Sequence, residues 1–89
     1  SDAWAAEVLA RYQEVAQLLT GRTDSTIEDG CTWVRTLVDD LGIRPLSAFG
    51  LRREDLPMIV DESMRSSSMK GNPFVLPAEV LTAVLEQVL

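Results

Sequence analysis

The chain has no histidine and a single cysteine among its 89 residues. Without histidine it lacks the commonest general base and the commonest transition-metal ligand. With Cys31 alone, an internal disulfide, a zinc finger, a Cys–His nucleophile and a Ser-His-Asp triad are all excluded within the chain. A lone thiol fits a reducing cytoplasm. Cations are scarce, eight Lys and Arg against fourteen Asp and Glu, for a net charge of -6 and a pI near 4.4. Nucleic acid is therefore not expected as a partner, because its affinity comes largely from basic side chains displacing counterions. The one adjacent basic pair, Arg52-Arg53, is followed at once by Glu54 and Asp55, so no basic face for a membrane surface forms. No apolar run approaches the roughly 20 residues that span a bilayer. The segment Ser1–Glu7 lacks the basic start of a signal peptide, so a soluble, cytoplasmic chain is expected. A glycine-rich phosphate loop is missing too, since neither Gly21 nor Gly30 follows a strand pattern.

What is present is helical. At 46% hydrophobic and 6% aromatic, with Leu, Val and Ala supplying most of the apolar mass, the composition suits helices packed on helices. Trp4, Val8, Leu9, Tyr12, Val15, Ala16 and Leu19 recur every three or four residues, which predicts a helix closed by Gly21. Ser25 or Thr26 is placed to cap a second helix, whose face is Ile27, Cys31, Val34, Leu37, Val38 and Leu41 and whose stop is Gly42. Gly30 inside it costs about 1 kcal/mol relative to Ala, so it either admits a close neighbour or weakens the first turn. Pro45–Gly50 predicts one short helical turn with Leu46 and Phe49 plugging the core. A third helix is expected from about Arg53 to Ser66, regular only from Leu56 because of Pro57. The last starts near Pro77, taken as its first helical position, and carries Leu81, Val84, Leu85 and Val88. Nothing alternates like a strand. The expectation is one all-α domain over 1–89, a small bundle of four main helices plus one short helical turn. A domain this size buries only about 60% of its unfolded surface, so its core is thin.

Few patterns suggest chemistry. Asp39-Asp40 and Asp61-Glu62 are neighbours on helices, pointing about 100° apart, and read as solvated faces. Asp24, Glu28 and Asp29 lack the spacing of an EF-hand. Trp4 and Trp33 fall within amphipathic helices and read as packing or subunit-contact residues rather than ligand stackers. Ser25 follows Asp24 at a helix start, as the modified serine of an acyl carrier protein does, but Thr26 stands where an apolar residue is required. Helix capping explains Ser25 better.

The most individual stretch is Ser66-Ser67-Ser68-Met69-Lys70-Gly71-Asn72-Pro73, small hydroxylated residues and a permissive Gly ending in an Asn-Pro pair that forces Asn72 extended. It joins an ordered series: Arg11-Tyr12, Leu41-Gly42-Ile43, the Leu46–Gly50 connector, Glu54-Asp55-Leu56-Pro57, Asn72-Pro73 and the final Val80–Leu89. Together these resemble the C-terminal helical region of iron-containing (group III) alcohol dehydrogenases over nearly the whole chain. The resemblance implies an NAD(P)-dependent oxidoreductase moving a hydride between nicotinamide and an alcohol or aldehyde, with a divalent metal, usually Fe2+, polarising the substrate oxygen. Such enzymes hold the metal with one Asp and three His of earlier helices and the dinucleotide on an N-terminal α/β domain. No residue here is carried over to either role, and no catalytic, metal or cofactor residue is assigned to this chain. What the resemblance does carry over is the loop beside the cleft, making Ser67, Ser68 and Met69 the candidate cleft-lining residues. Their hydroxyls would hydrogen-bond substrate or cofactor rather than transfer protons, since a serine without a base is a poor acid or base. Pro77 departs from the family pattern, in which Ser or Thr caps the last helix.

The implied partners are the N-terminal and metal-binding parts of the same enzyme, with a homo-oligomer also compatible, and the chain alone is expected to be inactive. The rival reading is a free-standing acidic helical module that binds another protein through an exposed apolar stripe.

Overall fold

A computed structural model describes all residues from Ser1 to Leu89. The chain is all-α, with four α-helices, α1 (Asp2–Thr20), α2 (Ile27–Asp40), α3 (Leu56–Met64) and α4 (Ala78–Val88), and lone 3₁₀ turns at Leu46–Phe49, Arg53–Asp55 and Ser67–Gly71. It divides into two compact units, Ser1–Ile43 and Arg44–Leu89.

The first unit is an αα-hairpin. Ser1 caps α1 by accepting from the Trp4 amide at 3.2 Å, and Gly21, at φ 72, closes it in the left-handed conformation while its N–H donates to the Gln17 carbonyl. The cap of α2 is Thr26. Its hydroxyl accepts from the Asp29 amide at 3.2 Å while the Asp29 carboxylate accepts from the Thr26 amide at 2.9 Å, so two orphan donors are satisfied reciprocally. Ser25 is not the cap. It is fully buried, its hydroxyl bonded to that of Thr20, which in turn donates to the Ala16 carbonyl at 2.9 Å.

Gly30 explains how closely the two helices approach. A Cβ built there would lie 2.7 Å from the Ala16 Cβ and 3.1 Å from its Cα. Of the two uses open to this glycine, close helix approach is the one realised; Ala16 and Gly30 are both buried.

The second unit packs α3 on α4, burying Leu56, Val60 and Leu81. Burying one such side chain contributes about 1.5–3 kcal/mol, so this core is small. The third helix is shorter than its sequence pattern implies. Residues Arg53–Asp55 wind as a 3₁₀ turn whose Asp55 carboxylate accepts from the Arg52 amide at 2.9 Å. Leu56 then opens α3, with Pro57 in the first turn where its missing N–H costs nothing. Pro77 is the N-cap of α4 and not its first residue. It is extended (φ -69, ψ 160) and has no side-chain cap bond; its carbonyl instead accepts from the Val80 and Leu81 amides at 3.0 and 3.1 Å.

The connector Leu46–Phe49 forms the expected turn, ended by Gly50 at φ 93. Its end is tied to the last helix by the Ser47 amide donating to the Leu89 carbonyl at 3.1 Å, and Arg53 reaches Glu86 at 3.4 Å. Phe49, expected in the core, is 69% exposed. The Arg44 guanidinium lies 4.9 Å from its ring centroid, a cation–π contact on a ring that stays largely open to solvent.

Candidate functional site

The segment Ser66–Pro73, read from sequence as an interhelix loop, contains a 3₁₀ turn. Ser66 is extended at its head and accepts from the Ser68 amide at 3.3 Å, a local side-chain bond of the kind that favours turns over helix. The Met69 amide donates to the Ser66 carbonyl, and the Asn72 amide to the Met69 carbonyl, both at 3.2 Å. Asn72 is extended (φ -72, ψ 144), as the following Pro73 demands. Its side-chain amide contacts the Met69 sulfur at 3.8 Å.

The three candidate residues do not share one surface. Ser67 and Ser68 are exposed and their hydroxyls form no hydrogen bond within the chain, so donors and acceptors are free for an incoming polar group. Met69 is half-buried and lines a pocket of about 390 Å³ together with Met64, Phe74, Leu76 and the buried Leu81, a pocket that neither serine lines. Lys70 and Arg65 also line it. The sequence reading took the hydroxyls as the feature and did not anticipate this pocket. Its signal was the pair Met64 and Met69 followed by Phe74-Val75-Leu76, apolar residues flanking a polar turn.

In the first unit, Tyr12, Val15, Ile27, Cys31 and Val34 line an open apolar groove of about 380 Å³. A second groove of about 490 Å³ runs past Arg22, Asp29, Thr32, Trp33 and Asp40. Asp29 titrates below its ordinary 3.8, chiefly because the Thr26 backbone N–H and then the Thr26 side chain bond to it. Arg22 is held above its usual range by the hydrogen bond to Asp24 and by that carboxylate's charge. These shifts arise from a helix cap and a surface ion pair, not from groups converging on a substrate. No three Cys, Asp or Glu side chains come together to hold a metal ion. Ser25, the residue a carrier protein would modify, is inaccessible.

The chain leaves much apolar surface uncovered. Leu9, Tyr12, Val15 and Leu18 on α1, Leu37 on α2, Met58 on α3 and Val84 and Val88 on α4 are all exposed.

The class the chain defines is thus an all-α protein of two compact helical units with large apolar side chains exposed on all four helices. No protein-family model, curated protein or solved structure matches the chain. No helix is long and apolar enough to cross a membrane.

Proposed function

We propose that the chain is the C-terminal helical part of a metal-dependent NAD(P) alcohol dehydrogenase or aldehyde reductase, forming one wall of its active-site cleft and inactive alone. The observation that carries this reading is the set of exposed large apolar side chains, which falls on all four helices. Helices exposed on several sides suit burial inside a larger helical body. The ordered motifs support the same reading from sequence, and each marks an element junction: Gly42 after α2, Gly50 after the connector turn, Asp55-Leu56-Pro57 at the start of α3 and Asn72-Pro73 after the last turn.

In that enzyme, Fe2+ or another divalent metal and NAD(P) would be held by residues outside this chain. Ser67 and Ser68 would offer free hydroxyls to substrate or cofactor, and Met69 would supply apolar wall. The partners are the remaining parts of the same polypeptide, in the cytoplasm, with a homo-oligomer compatible. The test is Ser68→Phe in the intact, metal-loaded oxidoreductase. A filled wall raises KM for aldehyde or NAD(P)H by about tenfold at unchanged metal content. Unchanged kinetics for both would overturn the assignment of the loop to the cleft.

One observation favours the second reading, a free-standing acidic interaction module: the groove at Tyr12, Val15 and Val34 has the apolar lining that a partner helix needs. A monodisperse, cooperatively unfolding 89-residue chain supports that module; a chain that self-associates and melts without cooperativity supports the dehydrogenase part.

A further inference from the structure

Five of the eight cations are spent on carboxylates: Arg11 on Glu7, Arg22 on Asp24, Arg52 on Glu54 and Asp55, Arg53 on Glu86, and Arg65 on Asp61. Arg44 lies over the Phe49 ring. Arg35 and Lys70 have no carboxylate within ion-pair distance, although the chain carries fourteen acidic residues. Lys70 lines the 390 Å³ pocket of the second unit, whose walls include the apolar Met64, Met69, Phe74 and Leu81 and the polar Ser66 and Asn72, and no Asp or Glu lines it. The pocket thus joins apolar walls to one unpaired cation, Lys70, since Arg65 is paired with Asp61; the apolar groove of the first unit also lacks acid and carries the unpaired Arg35, but it has no methionine. The volume falls within the roughly 300–1,000 Å³ of small-molecule sites, which are mostly apolar with a few polar groups fixing orientation. Two methionines suit a flexible chain, because their unbranched side chains repack around irregular shapes.

We propose that this pocket binds an amphipathic anion, an unbranched apolar chain of medium length ending in a carboxylate, with the tail against Met64, Met69 and Phe74 and the anionic end at Lys70. The serine hydroxyls of the proposed cleft wall lie outside the pocket, and the proposal does not depend on the dehydrogenase reading. Binding is read on the 89-residue chain directly and needs no activity.

The experiment is a titration of the ¹⁵N-labelled chain with sodium octanoate and, separately, with 1-octanol, repeated on Lys70→Gln. Lys70 is exposed, so its replacement leaves the fold intact. The expected result is that octanoate shifts amides between Met69 and Leu76, that octanol binds more weakly, and that Lys70→Gln weakens octanoate about fivefold without altering octanol. Three results would overturn the proposal: no shifts in that segment, equal response to octanoate in the variant, or shifts confined to the Tyr12–Val34 groove of the first unit.

Discussion

Gly30 is the residue on which the hairpin depends most directly. Alanine there would gain about 1 kcal/mol of helix propensity, but its Cβ would stand 2.7 Å from that of Ala16, with the Ala16 Cα close behind. Because the obstacle includes backbone, the helices must separate, and overpacking of this kind costs about 1–3 kcal/mol. Gly30→Ala is therefore expected to lower the urea midpoint of the chain, and Ala16→Gly in the same molecule to recover part of the loss. A raised midpoint for Gly30→Ala would show that α1 and α2 do not approach as described. A second residue-scale prediction concerns pH. The Thr26 backbone N–H and hydroxyl hold the folded Asp29 carboxyl below 3.8, and the unfolded chain lacks both. Its contribution is thus complete above about pH 4 and is lost as pH falls through the lower folded value. The stability difference between the wild-type chain and Asp29→Asn is expected to shrink below about pH 4 in circular-dichroism melts; a difference constant down to pH 2 contradicts the capping geometry.

Helix positions were legible because each boundary carries punctuation: Gly21, Thr26 with Asp29, Gly42, Pro57 and Pro77. What escaped was the smaller winding. The Arg53–Asp55 and Ser67–Gly71 turns are held by bonds spanning three residues and by single side-chain acceptors, Asp55 and Ser66, which leave no apolar period to read. Phe49 was misplaced for a related reason, since hydrophobicity alone does not disclose that its ring meets Arg44 and stays largely open to solvent. Of the candidate site, the serine-rich turn was visible as a motif, whereas the pocket at Met69 arises from how Phe74 and Leu76 fold back after Asn72-Pro73. Gly50 tests this element-scale account. At φ 93 it adopts a conformation that a side chain disfavours by roughly 1–2 kcal/mol, so Gly50→Ala is expected to destabilise the chain by about that amount in chemical denaturation. No change would mean that the connector rearranges freely.

At the scale of the whole molecule, the buried hydrophobic residues are only Val8, Ala16, Leu56, Val60 and Leu81. So thin a core leaves little net stability after conformational entropy is met. The exposed apolar side chains on all four helices are expected to make the isolated chain bind a hydrophobic dye and sediment as concentration-dependent oligomers. A strictly monomeric chain without dye binding favours the rival module. The sequence alone does not disclose this exposure, because an amphipathic pattern reads the same whether its partner helix is in the chain or outside it. The central claim is that these residues belong to a larger oxidoreductase. It is tested most directly by the mass of the native polypeptide that carries them, detected in denatured extract of the source cells with an antibody to Ser66–Pro73. The account predicts a band several-fold heavier than 9.8 kDa; a single band at that mass would contradict it.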